Sequence, residues 1–138
     1  MKQRKILITK FDKERLEELI SVAEEFGGEN RQDLEDLAGE LSRADVVSSK
    51  EVLSDVVTMN SKVVLRDIDT SELMTYSLVF PKDADVDEGA ISILAPVGTA
   101  ILGYAEGDII EWQVPSGARR ISIEKIIYQP EAAGDFHL

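Results

Sequence analysis

Two stretches in the first third of the chain repeat apolar residues at the spacing of one helix face. In each stretch the apolar positions are i, i+3, i+4 and i+7, and the first stretch carries a charged opposite face. This periodicity predicts two amphipathic helices, each about 20 Å long. The apolar positions are Leu16, Leu19, Ile20 and Ala23 in the first helix, and Leu34, Leu37, Ala38 and Leu41 in the second.

Residues that start or stop helices flank both stretches. Asp12 is a suitable N-cap for the first helix, and Phe11 before it is placed to pack on Leu16. The glycine pair at 27–28 predicts the end of that helix, and Asn30 is a suitable cap for the second. The connection is short, so the sequence predicts an antiparallel helical hairpin, a short coiled coil.

From residue 56 onward the pattern changes to the alternation of β-strands. The clearest strand spans residues 73–80, and a loop rich in acidic residues follows at 81–89. Turn residues separate the strands from one another. A short apolar run at 5–9 also has strand character. The strands predicted in the second part of the chain cover residues 56–58, 61–66, 73–80, 91–93, 108–114 and 119–128.

The stretch ISILAPVGTAILGYAEGD, residues 91–108, interrupts this series of strands. It begins as a strand and is predicted to break at Pro96 and Gly98. A short apolar helix is expected at 99–102, closed by Gly103. Such a helix can bury its apolar side only by lying on the sheet.

These elements together predict an α+β fold. Residues 1–50 form the N-terminal helical hairpin, and residues 51–138 form a small antiparallel sheet of about five strands with one short helix against it. We interpret residues 43–55 as the joint between the two parts, with at most one turn of helix, and residues 129–138 as a tail.

Charge and composition restrict the function. The formal net charge is -12, both halves of the chain are acidic, and there is no basic stripe. Direct binding to DNA or RNA is therefore disfavoured, and a basic protein surface is the more plausible partner. The chain contains no cysteine and no N-terminal segment long enough for a signal peptide or membrane span. We expect a cytoplasmic monomer that does not bind a membrane.

Candidate chemistry is sparse. The single histidine, His137, lies in the expected tail, and the glycines at 98 and 103 do not match a nucleotide-binding spacing. We therefore expect no catalytic residue, no cofactor and no bound metal, and we do not predict an enzyme.

Four motifs in order carry a family resemblance, and one of them is the short EGD at 106–108. Together with DVVTMNS at 55–61, ISILAPVGTAILG at 91–103 and YQPEAAGD at 128–135, it resembles the regulator of nucleoside diphosphate kinase (Rnk) family, which is related to the Gre transcript-cleavage factors. The resemblance implies an FKBP-like C-terminal domain that docks on the rim of the secondary channel of bacterial RNA polymerase. It also implies competition with the cleavage factors for that site.

The resemblance assigns roles to two groups of residues. Leu94, Ala95, Pro96 and Val97 correspond to the docking loop, and Glu25, Glu29 and Asp33 lie near the tip of the helical finger. Gre factors carry paired carboxylates at that tip, which hold a catalytic Mg²⁺ in the polymerase. The finger here is much shorter, and its tip lacks a clear acidic pair. At about 20 Å it should stop short of the metal.

Each of these assignments has an alternative. Leu94, Pro96 and Val97 could instead be core packing and a helix start. The tip acids Glu25, Glu29 and Asp33 could hold a metal, although solvated helix-end charges are commoner. Tyr76, Phe80 and Trp112 could line a pocket with prolyl isomerase or chaperone activity, although core packing is the simpler interpretation. Direct regulation of nucleoside diphosphate kinase is a further alternative.

Overall fold

The structure is a computed structural model that describes residues 6–25, 31–114, 117–136 and 138. The predicted mixed α+β class is confirmed. Its helices are α1 (Lys10–Glu25), α2 (Arg31–Ser42), α3 (Pro96–Ile101) and α4 (Pro130–Ala133). Its strands are β1 (Leu7–Thr9), β2 (Asp45–Val47), β3 (Lys62–Asp67), β4 (Leu73–Val79), β5 (Ala90–Ser92), β6 (Ile109–Val114) and β7 (Gly117–Tyr128).

Helices α1 and α2 pack on each other through the apolar positions predicted from the sequence. Leu16 and Leu37 are completely buried, and Leu34 and Leu41 are nearly so. Ala38 is partly buried against the same core. The helix period therefore identified the correct faces. The proposed helix-ending residues 27–28 and the proposed cap Asn30 lie outside the described residues.

The start of α1 differs from the prediction. The hydroxyl oxygen of Thr9 accepts a hydrogen bond from the backbone N–H of Asp12 at 3.0 Å, so Thr9 is the cap and the helix begins at Lys10. Asp12 was wrongly predicted as the cap. It lies inside the first turn, and its side chain is buried.

The predicted joint contains a strand. β2 pairs in parallel with β1 and forms a separate two-stranded sheet. The backbone N–H of Asp45 donates to the carbonyl of Ile6 at 2.8 Å, and that of Leu7 donates to the carbonyl of Gly103 at 3.1 Å. The first strand is thus tied both to the end of the helical part and to the loop after α3.

The main sheet has five strands in the order β5-β4-β3-β7-β6. Three of its four pairings are antiparallel, as predicted, but β4 and β5 run parallel. The acidic loop between these two strands causes this difference. It contains two single 3₁₀ turns, Pro81–Asp83 and Val86–Glu88, which carry the chain back along β4 as a crossover instead of a hairpin.

Helix α3 lies against the sheet, but it is longer than predicted and includes both residues expected to break it. Pro96 is its first residue, where the missing N–H costs no hydrogen bond. Gly98 is buried where the helix approaches the sheet, and a Cβ there would lie 2.4 Å from the carbonyl oxygen of Ser92. Ile93 and Ile101 are fully buried on either side.

The sequence suggested a tail at residues 129–138, but the described part of this segment begins with the short helix α4. Gln129 caps α4 by accepting a hydrogen bond from the N–H of Ala132 at 3.1 Å. Its side-chain amide also donates to the carbonyls of Leu53 and Val56. Buried Glu131 accepts a hydrogen bond from the Thr58 hydroxyl at 2.7 Å. These contacts hold α4 against residues 53–58.

Candidate partner-docking surface

The loop before α3 is held in one shape by hydrogen bonds from both sides. The N–H of Ala95 donates to the carbonyl of Ser92, and the N–H of Leu94 donates to the Ser92 hydroxyl, each at 3.0 Å. The buried Thr99 hydroxyl donates to the carbonyl of Ile93 at 2.6 Å. Hydrogen bonds from the strand end and the helix start therefore help to position the loop.

The four residues expected to dock divide between surface and core. Pro96 is exposed, whereas Leu94, Ala95 and Val97 are half-buried. Leu94 and Val97 pack against the main core. Core packing therefore accounts for Leu94 and Val97, whereas Pro96 begins the helix and is accessible to solvent.

A groove of about 460 Å³ lies beside this loop, between α2 and α3 and next to β6. Leu94 and Pro96 line it on one side, and Asp33 from the first turn of α2 lines it on another. Asp33 was assigned to the finger tip and Leu94 to the docking loop, so the structure brings together residues that the sequence interpretation kept apart. Ala100, Tyr104 and Ile110 complete the apolar part of the lining.

One cation faces the groove within the part of the chain that the structure describes. The Arg43 guanidinium donates to Glu40 at 2.5 Å and to the Tyr104 hydroxyl at 3.1 Å. Burial acts to lower the pKa of Arg43, but Tyr104 and Glu40 outweigh it and hold that pKa above its usual value. The pairs fix Arg43 between α2 and the loop after α3.

A second cluster sets the position of α1. The carboxylate of Asp12 accepts a hydrogen bond from Arg15 at 2.6 Å and one from the backbone N–H of Met59 at 3.0 Å. Burial raises the pKa of Asp12 to about 6, because the hydrogen bonds and the nearby guanidinium only partly compensate for lost hydration. A buried carboxylate thus joins the helical part to the sheet part.

Arg15 extends this junction to a third segment. Its guanidinium lies 3.9 Å from the ring centre of Phe11 and 4.8 Å from that of Phe80, and it donates to a backbone oxygen of Leu138 at 2.9 Å. Phe80, a candidate for an isomerase pocket, therefore packs under a cation. Tyr76 donates to the sulfur of Met74 at 3.7 Å, and the Trp112 side chain lies outside the described residues.

The proposed tip residues Glu25, Glu29 and Asp33 are described only in part. All of Glu29 and the side chain of Glu25 lie outside the described residues. Asp33 is half-buried in the groove wall. The hypothesis that the three acids share a metal therefore stays untested. Among residues 6–25, 31–114, 117–136 and 138, there is no helix with the length and hydrophobicity needed to cross a membrane.

Comparison with known proteins finds family matches in both the N-terminal and the C-terminal part of the chain. A family model described as "Rnk N-terminus" matches residues 4–47. A second, "Transcription elongation factor, GreA/GreB, C-term", matches residues 52–128. The Escherichia coli K12 protein named "Regulator of nucleoside diphosphate kinase" is 43% identical over 103 residues, which cover 74% of this chain and 76% of that protein. The chain belongs to the Rnk family.

Proteins named as Gre factors are also similar to this Rnk-family chain. A "Transcription elongation factor GreA" from Chelativorans sp. is 40% identical over 96 residues, which are 70% of this chain but only 59% of that protein. A solved "Prokaryotic transcription elongation factor GreA/GreB from Nitrosomonas europaea" superimposes with a TM-score of 0.74 at 44% identity. The match covers 90% of this chain and all of that one. The chain is thus a transcription-related regulator by homology.

Proposed function

We propose that this Rnk-family protein is a non-enzymatic regulator that binds bacterial RNA polymerase at the rim of the secondary channel and competes there with Gre-type cleavage factors. The exposed proline at position 96 carries the proposal. It projects from a loop that Ser92 and Thr99 hold rigid, within the region that matches the Gre C-terminal family. A preorganised loop loses little conformational freedom on binding.

The length of the helical finger supports the proposal that the protein is not an enzyme. We interpret α1 and α2 as an antiparallel hairpin attached to an FKBP-like domain. At 16 and 12 residues, the helices span about 24 and 18 Å. A finger of this length, anchored at the rim, occupies the channel entrance without reaching a metal at its far end. Occupancy of the entrance is sufficient for competition with a longer factor.

The charge of the chain also suits this partner. A net charge of -12 favours encounter with a basic channel mouth and disfavours the nucleic acid inside it. We therefore expect association to slow as ionic strength rises, because steering by exposed charges is screened over about 8 Å at physiological salt.

The test is a titration of labelled protein with core RNA polymerase, followed by displacement with unlabelled GreA. We expect saturable binding that GreA reverses. Pro96→Glu should weaken binding at least tenfold. Pro81→Glu is the matched control, because Pro81 also begins a short helical turn but lies on another surface. Absence of binding, or binding that GreA does not displace, would refute the proposal.

The name of the E. coli relative motivates a second measurement. That protein is named for regulation of nucleoside diphosphate kinase, so the same titration with the purified kinase tests a direct contact. We expect no saturable binding to the kinase. Binding that Pro96→Glu leaves unchanged would make the kinase a separate partner held by another surface.

A further inference from the structure

We propose that the groove between α2 and α3 receives a short, cationic and partly apolar segment of the partner protein, so that helix α2 takes part in docking together with Pro96. The inference rests on the proposed function and deepens it. It states that the docking surface is composite, and that the partner segment carries Lys or Arg side chains beside an apolar contact.

The charges that line the groove select a cationic occupant. Asp33, Asp36 and Glu40 occupy positions i, i+3 and i+7 of α2, which places them along one face of that helix. Glu111 on β6 also lines the groove. Acidic side chains therefore come from two separate elements, and Arg43 already has Glu40 as a partner at 2.5 Å.

The apolar part of the groove selects a protein segment over a small cation. Leu94, Pro96, Ala100, Tyr104 and Ile110 line it together with the acids. Lys and Arg bury their aliphatic stems on such surfaces while the charged group reaches a carboxylate. The volume of about 460 Å³ is of the size that encloses a few side chains, not a folded element. Phosphate-bearing ligands are disfavoured by the four carboxylates.

The groove is continuous with the docking loop, which is why one partner segment can contact both. Leu94 and Pro96 belong to the loop and also line the groove. The Arg43 guanidinium donates a hydrogen bond to the Tyr104 hydroxyl. This bond connects the end of α2 to the segment after α3. A partner segment that reaches Pro96 therefore meets the acidic face of α2 within the same contact.

The experiment reverses charge on two elements that line the groove. Asp36→Lys/Glu111→Lys changes exposed acids of the groove, and Asp83→Lys/Glu88→Lys makes the same change in net charge in the exposed acidic loop. We expect affinity for core polymerase to fall at least tenfold in the groove variant and less than threefold in the loop variant. Circular dichroism spectra that match the wild type confirm that both variants are folded.

The outcomes separate this inference from the function on which it rests. If Pro96→Glu loses binding but the groove variant keeps it, the groove inference is wrong and the proposed function stands. Equal losses in the groove and loop variants would show long-range charge attraction and also overturn the inference. If the wild-type protein does not bind polymerase, the proposed function fails, and a second measurement decides the groove.

That second measurement is a ¹H–¹⁵N NMR titration of the full chain with a 12-residue peptide of alternating Lys and Leu pairs. We expect the largest amide shifts at Glu40, Ala100 and Tyr104, and their loss in the groove variant. Shifts centred on residues 83–88 instead would overturn the inference. Spermidine serves as the small-cation probe, and groove shifts with spermidine but not with the peptide would also contradict a protein segment as occupant.

Discussion

The buried carboxylate of Asp12 accepts a hydrogen bond at 3.0 Å from the backbone N–H of Met59, 47 positions further along the chain. Asp12 lies in the first turn of α1, and Met59 lies in the segment that leads into β3. The bond therefore crosses the junction between the helical part and the sheet part. Arg15 supplies a partial counter-charge, but its side chain remains 26% exposed.

This arrangement predicts a specific pH dependence of stability. The pKa of Asp12 is raised from 3.8 to about 6 by burial, so the folded state binds this proton more tightly than the unfolded state does. The contribution of Asp12 to stability is fully present below pH 4 and is lost as pH rises through 6. A pKa shift of this size corresponds to a loss of about 3 kcal/mol in the free energy of unfolding.

The measurement compares urea unfolding of the wild type and Asp12→Asn at intervals from pH 4 to 7.5. Asparagine keeps an oxygen for the Met59 N–H but does not titrate. We expect the wild type to lose up to about 3 kcal/mol relative to the variant across this range. Glu18→Gln, an exposed change on the same helix, controls for net charge. A difference that grows in favour of the wild type with rising pH would mean that pairing with Arg15 dominates over burial.

Removal of Arg15 should destabilise the junction more than removal of an ordinary surface cation. Arg15→Ala takes away the partner of Asp12 and the contacts with the Phe11 and Phe80 rings. We expect the free energy of unfolding to fall by about 2 kcal/mol or more at pH 7. Breaking a fully buried ion pair costs roughly 3–5 kcal/mol, and the cost here should be lower because Arg15 is partly exposed. The loss should be smaller at pH 5, where Asp12 is protonated.

The matched control for that variant is Arg66→Ala. Arg66 pairs with Glu124 at 2.7 Å on the exposed surface of the sheet, so its removal should cost less than about 1 kcal/mol. Arg15→Lys keeps the charge but not the planar group that stacks on the rings, so an intermediate loss is expected. Equal losses for Arg15→Ala and Arg66→Ala in chemical denaturation would contradict the special role of the junction.

Two glycine substitutions should have opposite effects. Gly98→Ala places a Cβ 2.4 Å from the carbonyl oxygen of Ser92, so α3 must move away from the sheet at a cost of about 1–3 kcal/mol. Gly39→Ala meets nothing within 4 Å on α2 and should stabilise the helix by roughly 0.5–1 kcal/mol. Thermal unfolding measures both, and stabilisation by Gly98→Ala would show that α3 is not closely packed.

Local sequence patterns predicted most helices and strands. The features that the sequence did not show depend on contacts between residues that are distant in the chain. The helix period identified the buried faces of α1 and α2, because one face of a helix is formed by residues three and four positions apart. The cap at Thr9 had a local signal, since Thr9 and Asp12 stand three apart with a hydroxyl followed by an acid. Gln129 followed by Pro130 was likewise a readable helix start for α4.

The site was harder to predict for the same reason. Pro96 and Leu94 could be chosen only through the family motif, and their exposure depends on how α3 packs on the sheet. The groove is lined by both Asp36 and Glu111, which are distant in the chain. The parallel pairing of β1 with β2 also joins distant segments. No periodicity within one stretch carries this information.

The last prediction concerns transcript cleavage. We expect that the protein does not stimulate cleavage by a backtracked polymerase. Metal-assisted hydrolysis requires carboxylates at about 2.0 to 2.1 Å from Mg²⁺. Helix α1 spans about 24 Å. Of the three tip candidates, Asp33 is the one whose side chain is described, and it lines the groove beside Leu94.

The assay adds the protein to a stalled, backtracked elongation complex and follows release of short 3′ fragments, with GreA as the positive control. We expect no release above background, and Glu29→Ala should change polymerase affinity by less than twofold, because a carboxylate short of the metal acts only as a screened charge. Asp36→Lys/Glu111→Lys should, in contrast, weaken binding. If the wild type releases fragments and Glu29→Ala abolishes that release, the finger reaches the metal and the protein acts as a cleavage factor.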